Sequence, residues 1–481
     1  MGCEAVAVIT EQFDLIIIGA GSGNSLISPE MDGWRIAIIE RSTFGGTCLN
    51  RGCIPSKMLI YAADVAESAA ASTNAAKYGV RTSFDGADWP AIVERVFGRI
   101  DPIAEGGRRY RHSLDNMVVY EGDARFIGER ELEVDGVRLR ADRVVIAAGA
   151  QSFIPDIPGL DTVPFHTSDT ILRIARQPKH LIVLGGGFIA NELGHVFGSL
   201  GSQVTMVNRG HHLLQAEDHD VSRRFTEIAR ERFDLVMGVR IQHISMTAGG
   251  IAVHVVDRDG ERVIEGDTLL VAAGRVSNGE ELRCEDAGVE LDMKGNVIVD
   301  AYGRTTSPNV WALGDVNGRH QLKHMANGEA RVVQHNLLHP DHLQMFDQRP
   351  APHAVFTSPQ IGAIGPTETA ARATGDPVCV VTHEYGGAAY GWALEDTTSF
   401  CKLIGNPVTR QLVGAHIIGF QASILVQLLV QGMHLGTTVD EMATGQVWIH
   451  PALSEVVEQA LLKLVDAFDA YSPDAPQGFT H

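Results

Sequence analysis

The first half of the chain repeats one pattern of apolar runs and glycine-rich turns. Short apolar runs stand at residues 14–19, 35–40, 181–185 and 204–208. Each run that ends in glycines is followed by one that does not. This order predicts a strand, a glycine turn, a helix and a second strand, twice over. We expect the helix of the first unit to be short and irregular, because Pro29 and Gly33 interrupt it.

The last part of the chain has a different pattern. From about residue 350, strand-like segments at 401–404 and 412–418 mix with a helical run over 423–433. Apolar residues then recur at helical spacing and predict a last helix over 451–468. The whole pattern predicts an α/β protein with two Rossmann-like nucleotide-binding domains, followed by an α+β C-terminal domain and a short tail.

Composition excludes several classes of function. The 481 residues carry 59 acidic and 39 basic side chains, for a formal net charge of −20. This charge opposes nonspecific binding to nucleic acids and anionic membranes, so we expect neither as a partner. No apolar run reaches the roughly 18 residues of a membrane-spanning helix, and residues 1–12 lack the basic segment of a signal peptide. These features favour a cytoplasmic protein.

The first glycine turn is typical of a dinucleotide site. Gly19, Gly21 and Gly23 follow the first strand, where glycines allow a tight turn and let a pyrophosphate approach backbone N–H groups. Glu40 ends the next strand, where a carboxylate accepts hydrogen bonds from a ribose hydroxyl. Asn24 replaces the third glycine of the usual pattern, and we expect it to alter the packing of helix on strand. An ordinary loop is the alternative, which the strand and the carboxylate disfavour.

The second glycine turn lacks the carboxylate. Gly185 and Gly187 repeat the glycine pattern, but Asn208 stands in the place of the acid and Arg209 follows it. A neutral side chain beside a guanidinium would attract the 2′-phosphate of NADPH, which a carboxylate would repel. Gln215 stands where a second arginine would strengthen this preference, so NADH is a second possibility. A merely solvated arginine is the alternative.

Two of the six cysteines, Cys48 and Cys53, are close neighbours. Five helical residues would separate them by about 7.5 Å, more than the roughly 7 Å that a disulfide spans. We therefore expect Cys48 before a helix, on a bent segment that Gly52 permits, and Cys53 near the helix start. There the helix N-terminus and Lys57 would lower the thiol pKa. Half of a zinc site is the alternative, but no further ligands stand at metal spacing, so we predict no metal.

A histidine near the C-terminus is a candidate base. His450 precedes Pro451 and so lies just outside the last helix, whereas Glu455 lies in its first turns. At this spacing the carboxylate would orient the imidazole and raise its basicity. The chain has 20 histidines, and a helix-entry histidine without a chemical role is the alternative.

Together these segments resemble the pyridine nucleotide–disulfide oxidoreductases. The resemblance rests on Gly-Gly-Thr-Cys48-x4-Cys53-Ile-Pro-Ser-Lys57, the two glycine turns, Ala-Leu-Gly314-Asp315 and His450-Pro-x3-Glu455, and it extends from about residue 13 to 468. It implies glutathione-reductase-type nucleotide domains with FAD on the first turn and NADPH on the second, and a homodimer. The implied parts are an FAD-binding domain over 1–152, an NADPH-binding domain over 153–279, the second part of the FAD-binding domain over 280–349, a dimerisation domain over 350–468 and a tail over 469–481.

The resemblance also implies roles for individual residues. Phe188 matches an aromatic side chain that covers the flavin until the nicotinamide arrives, and Glu192 matches a carboxylate that pairs with Lys57 beside the flavin. Asp315 is implied to lie near the flavin as well. Arg51 departs from the small apolar residue that is common beside the second cysteine. Further cofactor contacts are implied for Gly46, Thr47, Ala148, Gly149, Ile189, Gly274, Arg275 and Gly314.

The activity that the resemblance implies is disulfide reduction. Hydride passes from NADPH to FAD, and the flavin reduces a Cys48–Cys53 disulfide, with Cys53 facing the flavin. Cys48 then attacks the substrate disulfide. His450 of the partner subunit deprotonates Cys48 and protonates the leaving thiolate.

Differences from other members of the family narrow the choice of substrate. The C-terminus has no cysteine pair, which disfavours mercuric reductases and large thioredoxin reductases. Residues 25–30 lack the arginine of glutathione reductases, and Asn208 replaces the acid usual in lipoamide dehydrogenases. Segments 21–25, 323–331 and 450–458 resemble the mycothione reductases, whose substrate is the symmetric disulfide of mycothiol. A dihydrolipoamide dehydrogenase, a glutathione-disulfide-type reductase and a noncatalytic redox sensor that binds nucleotides are the alternatives.

Overall fold

A sheet of seven strands forms the centre of the N-terminal part of the computed structural model, which describes residues 10–70 and 76–472. Its strands are Thr10–Ile18, Ile36–Glu40, Met117–Glu121, Ala124–Gly128, Glu131–Val134, Val137–Ile146 and Val310–Ala312. The first strand pairs in parallel with Ile36–Glu40 on one side and with Val137–Ile146 on the other. The apolar run of Ile36–Glu40 is buried throughout, as expected for a parallel strand covered on both faces.

The stretch between the first two strands is short and irregular, as Pro29 and Gly33 predict. Two short 3-10 turns, Ser22–Ser25 and Pro29–Met31, replace an α-helix between the first two strands. The ring of Pro29 and its missing N–H prevent an α-helix from continuing through this stretch. The α-helices that follow are Gly46–Asn50, Cys53–Ala70 and Trp89–His112. We call Cys53–Ala70 the cysteine helix.

The second glycine unit forms a parallel sheet of four strands. These are His180–Leu184, Gln203–Asn208, Asp234–Met237 and Thr268–Val271. The helix Phe188–Ser199 begins directly after the glycine turn, as the pattern predicts. The remaining elements of this unit are the helices Ser168–Ile171 and His219–Ala229 and the antiparallel strands Arg240–Thr247, Gly250–Asp257 and Gly260–Gly266.

A short antiparallel pair connects the two nucleotide units. Ala150–Ser152 and Arg275–Ser277 pair where the chain leaves the first unit and returns to it. The chain then adds the strand Val310–Ala312 to the first sheet and continues into the helix Lys323–Leu338. The first sheet is therefore completed by residues from both sides of the second unit.

The C-terminal part is a five-stranded antiparallel sheet with helices. Its strands are His353–Val355, Gln360–Ile364, Cys379–Glu384, Phe400–Asn406 and Gln411–Gly419, and its helices are Glu368–Ala373, Ala389–Leu394, Ala422–Leu435, Val439–Thr444 and Ser454–Asp469. The last helix begins at Ser454 rather than at residue 451, because a turn precedes it in which the Ala452 N–H donates to Glu455 Oε2 at 3.1 Å.

The predicted fold class is confirmed: two Rossmann-like units precede an α+β C-terminal part. Residues 473–481 of the predicted tail lie outside the described residues. Within residues 10–70 and 76–472, no helix has the length and apolar character that a membrane span requires.

Candidate active site

The two neighbouring cysteines lie on either side of a break between two helices. Cys48 lies in Gly46–Asn50, and Cys53 is the first residue of the cysteine helix. The Asn50 side chain stabilises the short helix, since its Nδ2 atom donates to three carbonyl oxygens within residues 43–46. Cys48 thus precedes the cysteine helix as expected, but it lies on a helical turn of its own rather than on an irregular bend. Both side chains are free thiols.

The two thiols differ in pKa. A hydrogen bond with Cys53, together with burial, raises the pKa of Cys48 above its ordinary value. The same hydrogen bond and the positive charge of Lys57 lower the pKa of Cys53 to about 7, although burial opposes this shift. Near neutral pH the reduced pair therefore holds its first thiolate on Cys53, with Cys48 as the hydrogen-bond donor.

Lys57 is held beside Cys53 by a buried carboxylate. Its Nζ atom lies 2.6 Å from Glu192 Oε2, and Glu192 is 4% exposed. Glu192 Oε1 accepts a hydrogen bond of 3.0 Å from the Phe356 N–H, and Lys57 Nζ lies 4.6 Å from the centre of the Phe356 ring. No local sequence pattern indicated this role for Phe356. The contact fixes the ammonium between the cysteine helix, the helix Phe188–Ser199 and the start of the C-terminal part.

A second polar cluster joins the cysteine helix to the helix Phe188–Ser199. The buried His195 places Nε2 at 2.8 Å from Asp64 Oδ1 and Nδ1 at 2.9 Å from Arg232 Nη2. Because Arg232 donates to Nδ1, the Nε2–H donates to Asp64. Asp64, Glu67 and His195 stand close enough to hold a metal ion, but Arg232 also contacts Glu67 at 3.1 Å. The Arg232 guanidinium already offsets part of the negative charge of this cluster, whose contacts hold the two helices together.

The first glycine turn packs directly on the cysteine segment. Gly19 has φ +102°, and a Cβ atom there would lie 2.4 Å from the Ala147 carbonyl oxygen. Gly46 has φ +65°, and a Cβ atom there would lie 2.7 Å from Gly21 Cα. Side chains at these positions would be both strained and overlapping. A Cβ atom at Gly23 would lie 2.8 Å from an isoleucine methyl group of the first strand. The turn is therefore fixed against both the sheet and the segment that carries Cys48.

Glu40 is buried at the end of its strand, where its carboxylate closes the glycine turn. Glu40 Oε2 accepts from the Ala20 N–H at 2.9 Å, and Oε1 accepts from the Ser42 N–H at 2.9 Å and its hydroxyl at 3.0 Å. Arg51 extends the network, since its Nη2 atom donates to Ser42 Oγ at 2.5 Å. The unusual arginine therefore links the cysteine segment to the carboxylate predicted to bind ribose.

Asn278 holds the strand end at Ala148 and Gly149. Its Nδ2 atom donates to the Ala148 carbonyl oxygen at 2.7 Å. Its backbone N–H donates to the Gly149 carbonyl oxygen at 3.2 Å. Arg275 donates to the Ala150 carbonyl oxygen at 2.5 Å. These bonds place the predicted cofactor residues of two distant segments side by side, close to where the chain passes between the nucleotide units.

Gly314 and Asp315 are positioned by a buried carboxylate that no sequence pattern indicated. Glu329 is 5% exposed, and its Oε2 atom accepts from the Gly314 N–H at 2.7 Å. Burial raises the pKa of the Asp315 carboxyl, and the positive charges of Arg275 and Lys323 oppose this rise. Asp315 is therefore half-buried, with two positive charges near enough to oppose the effect of burial on its pKa.

The second glycine turn matches the first in its backbone and differs in its polar groups. Gly185 has φ +134°, and a Cβ atom there would lie 2.2 Å from a backbone oxygen at the end of a neighbouring strand. The Asn208 side chain lies against Gly186, where a Cβ atom would lie 2.8 Å from Asn208 Cγ. Arg209 is exposed beside it. The helix after the turn begins with Gly187 as its N-cap, followed by the exposed Phe188 and the half-buried Ile189.

His450 and Glu455 form a pair at the start of the last helix. His450 Nδ1 lies 2.7 Å from Glu455 Oε1, and the imidazole is 71% exposed. The hydrogen bond with His450, followed by that from the Ala452 N–H, lowers the pKa of Glu455. The carboxylate therefore stays ionised at neutral pH and orients the imidazole, whose Nε2 atom makes no hydrogen bond within residues 10–70 and 76–472.

Two family models match the chain. Residues 13–330 match the pyridine nucleotide-disulphide oxidoreductases, and residues 351–461 match the dimerisation domain of the same proteins. The chain belongs to the pyridine nucleotide–disulphide oxidoreductase family. The resemblance seen in the sequence is confirmed, and this family member is an enzyme that uses FAD and NAD(P)H.

Several relatives of known function and solved structures align with almost the whole length of this chain. Mycothione reductase of Mycobacterium tuberculosis is 47% identical over 464 residues, which cover 94% of this chain and 100% of the relative. Mercuric reductase of Staphylococcus aureus is 31% identical, over 89% of this chain and 78% of the relative. The structure of the HOCl-induced flavoprotein disulfide reductase RclA from Escherichia coli matches with a TM-score of 0.80 at 28% identity, over 95% of this chain and 100% of that chain.

The dimerisation domain of this flavoprotein disulfide reductase exposes large apolar side chains. They include Phe420, Ile424, Leu428, Val447 and Ile449, which are 37% to 96% exposed in the single chain. Exposed apolar surface of this kind is typical of subunit interfaces. It fits the dimerisation domain that the family model matches, and His450 follows directly after this surface in the sequence.

Proposed function

We propose that this protein uses NADPH to reduce mycothione, the symmetric disulfide of mycothiol. The observation that carries the proposal is the 47% identity to mycothione reductase over the full length of that relative. The neutral Asn208 and the exposed Arg209 at the second glycine turn support NADPH as the electron donor. A cytoplasmic location is part of the same proposal, since a reducing compartment keeps unpaired cysteines as thiols.

The residues of the first site fit FAD. The glycine turn leaves no room for side chains at Gly19 and Gly46, and it offers backbone N–H groups where a pyrophosphate would approach. FAD, when bound, supplies the transfer of electrons from NADPH to the cysteine pair. The FAD-holding residues would be Gly19, Gly21, Gly23, Glu40, Gly46, Thr47, Ala148, Gly149, Gly314 and Asp315. Those on the nicotinamide nucleotide side would be Gly185, Gly187, Phe188, Ile189, Asn208, Arg209, Gly274 and Arg275.

The proposed thiol chemistry uses Cys48 for the attack and Cys53 to re-form the disulfide; since the pKa of Cys48 is raised, the attack requires a base that removes its proton. Cys48 loses its proton and attacks one sulfur of the substrate disulfide, which forms a mixed disulfide and releases one thiol. Cys53 then attacks Cys48, which re-forms the Cys48–Cys53 disulfide and releases the second thiol. The positive charge of Lys57, held by Glu192, favours the thiolate of Cys53 that this step needs. Each cycle consumes one NADPH and one proton for two thiols.

His450 of the partner subunit is proposed as the base for Cys48. The imidazole of His450 is exposed, is oriented by Glu455 and belongs to the dimerisation domain. The domain bounds proposed for this assembly are 1–152 and 280–349 for FAD, 153–279 for NADPH, 350–468 for dimerisation and 469–481 for the tail.

A panel of disulfides tests the substrate. The purified holoenzyme is given mycothione, glutathione disulfide and lipoamide, each with NADPH and with NADH, and nucleotide oxidation is measured. We expect kcat/KM to be at least about tenfold higher for mycothione with NADPH than for the other pairs. Faster turnover of lipoamide with NADH would instead support a dihydrolipoamide dehydrogenase. No turnover with any disulfide would favour a redox sensor.

Arg209→Ala should weaken the binding of NADPH without weakening the binding of NADH. Loss of the guanidinium removes a charge-assisted contact with the 2′-phosphate, and we expect the KM for NADPH to rise about tenfold. The KM for NADH should stay unchanged, since NADH lacks that phosphate. Arg258→Ala is the matched control, because Arg258 is exposed in the same unit but lies in a distant hairpin. An equal rise for both nucleotides in Arg209→Ala would contradict the assignment.

A further inference from the structure

Arg51 stands between the two helices that carry the cysteine pair. Its backbone N–H donates to the Thr47 carbonyl oxygen at 3.0 Å and ends the short helix Gly46–Asn50, and the cysteine helix begins two residues later. Within residues 10–70 and 76–472, its half-buried side chain makes one hydrogen bond, from Nη2 to Ser42 Oγ, and no ion pair. The polar contact of this arginine is therefore directed at Ser42.

Ser42 transmits this contact to Glu40. Its hydroxyl accepts from Arg51 at 2.5 Å and donates to Glu40 Oε1 at 3.0 Å, and its backbone N–H donates to the same oxygen at 2.9 Å. A hydroxyl has one proton, and a hydroxyl that accepts from a charged donor becomes a stronger donor itself, because bonds in a chain polarise one another. Arg51 thereby fixes the direction of the Ser42 hydroxyl and strengthens its bond to the carboxylate.

The hydrogen bonds of Glu40 leave space for a further donor. A carboxylate has about four acceptor positions. Ser42 occupies both positions on Oε1, and the Ala20 N–H occupies one on Oε2 at 2.9 Å. Glu40 is 7% exposed, so a further donor can approach it only from a limited direction. The remaining position on Oε2 suits a ribose hydroxyl, and its direction depends on how firmly Oε1 is held.

We propose that Arg51 is a positioning residue for FAD, which acts through Ser42 to hold Glu40 in the orientation that accepts a ribose hydroxyl of the cofactor. The role rests on the proposed placement of FAD at the first glycine turn. It gives a physical reason for an arginine where a small apolar residue is common. It also connects the cofactor site to the segment that carries Cys48, since Arg51 ends the helix of that segment.

Release of FAD from the purified holoenzyme tests the role without any disulfide substrate. The holoenzyme is diluted, and the rise in flavin fluorescence gives the rate of release. We expect Arg51→Met, which keeps the length of the side chain but loses the donor, to release FAD about fivefold faster. Arg51→Lys keeps a charged donor and should restore a rate close to that of the wild type. Arg125→Met is the matched control, because Arg125 is an exposed arginine of the same sheet that pairs with Glu133 on the neighbouring strand.

A double-mutant cycle identifies the atoms through which Arg51 acts. In Ser42→Ala protein the chain of hydrogen bonds is already broken, so adding Arg51→Met should not speed release further. Glu40→Gln tests the placement of FAD itself, and it should speed release by more than Arg51→Met does. A variant that is purified without flavin is compared with the wild-type apoprotein by the FAD concentration that half-saturates it.

The results separate the role of Arg51 from the placement of FAD. Wild-type release from Arg51→Met, together with faster release from Glu40→Gln, would exclude the role of Arg51 and retain the placement. Release that is unchanged in Glu40→Gln as well would overturn both. If Arg51→Met speeds release equally with and without Ser42, or if Arg51→Lys restores nothing, the arginine does not act through this hydrogen bond.

Discussion

A Cys48→Ser enzyme is expected to retain FAD and to lose at least about 10³-fold of its NADPH-driven disulfide reduction. A serine hydroxyl cannot form the mixed disulfide that the reaction needs, and its oxygen stays protonated at neutral pH. The glycine turns and Glu40, which would hold the cofactor, are untouched by the change. Nucleotide oxidation with saturating mycothione and the flavin absorbance of the purified protein measure both effects.

Cys379→Ser is the matched control for this variant. Cys379 is half-buried in the strand Cys379–Glu384, and its thiol lies 3.6 Å from the Ala467 carbonyl oxygen, which a hydroxyl can also reach. It should turn over at close to the wild-type rate. A Cys48→Ser enzyme that kept more than about a tenth of wild-type turnover would show that another group attacks the disulfide.

A His450→Ala enzyme is expected to slow by about 10²- to 10⁴-fold with mycothione, while its flavin is still reduced by NADPH. In the proposed mechanism the imidazole removes the proton of Cys48 and returns it to the leaving thiolate, and alanine can do neither. Steady-state turnover across pH, with rapid-mixing measurement of flavin reduction, separates the two half-reactions.

Glu455→Gln should have a smaller effect of the same kind. The hydrogen bond with His450 lowers the pKa of Glu455, so the carboxylate stays charged at pH values where a carboxyl group is ordinarily protonated, and it loses its orienting effect only as pH falls through that lowered value. An amide keeps part of the hydrogen bond, and we expect about a tenfold loss. His434→Ala, in the same domain, should be neutral. Equal rates for His450→Ala and wild type would contradict the role of the imidazole.

Features that depend on neighbours in the sequence could be predicted from it. The strands and glycine turns follow from runs of apolar residues that end in glycines, and the His450–Glu455 contact spans only five positions. The sequence predicts the interruption of the first helix at Pro29 for the same reason. One local detail differs: hydrogen bonds from the Asn50 side chain place Cys48 in a helical turn, where the sequence predicts a bend. This difference is small because it changes the hydrogen bonds of only a few backbone groups.

Contacts between distant segments could not be predicted in this way. Lys323 and Ser22 are 301 positions apart, and Arg111 reaches the Asn24 side chain at 2.7 Å across 87 positions. The second contact is how the chain accommodates an asparagine at the third glycine position, which the sequence predicted only as altered packing. The partners of these side chains are set by how helices and sheets pack, and neither composition nor spacing contains that information.

Each disulfide-reducing site is proposed to combine the thiols of one subunit with the histidine of the other. Differently tagged Cys48→Ser and His450→Ala chains are co-expressed, and the heterodimer is purified. It contains one site with both groups intact, so we predict about half of the wild-type activity with mycothione, although each parent homodimer is nearly inactive. A heterodimer no more active than its parents would contradict the claim.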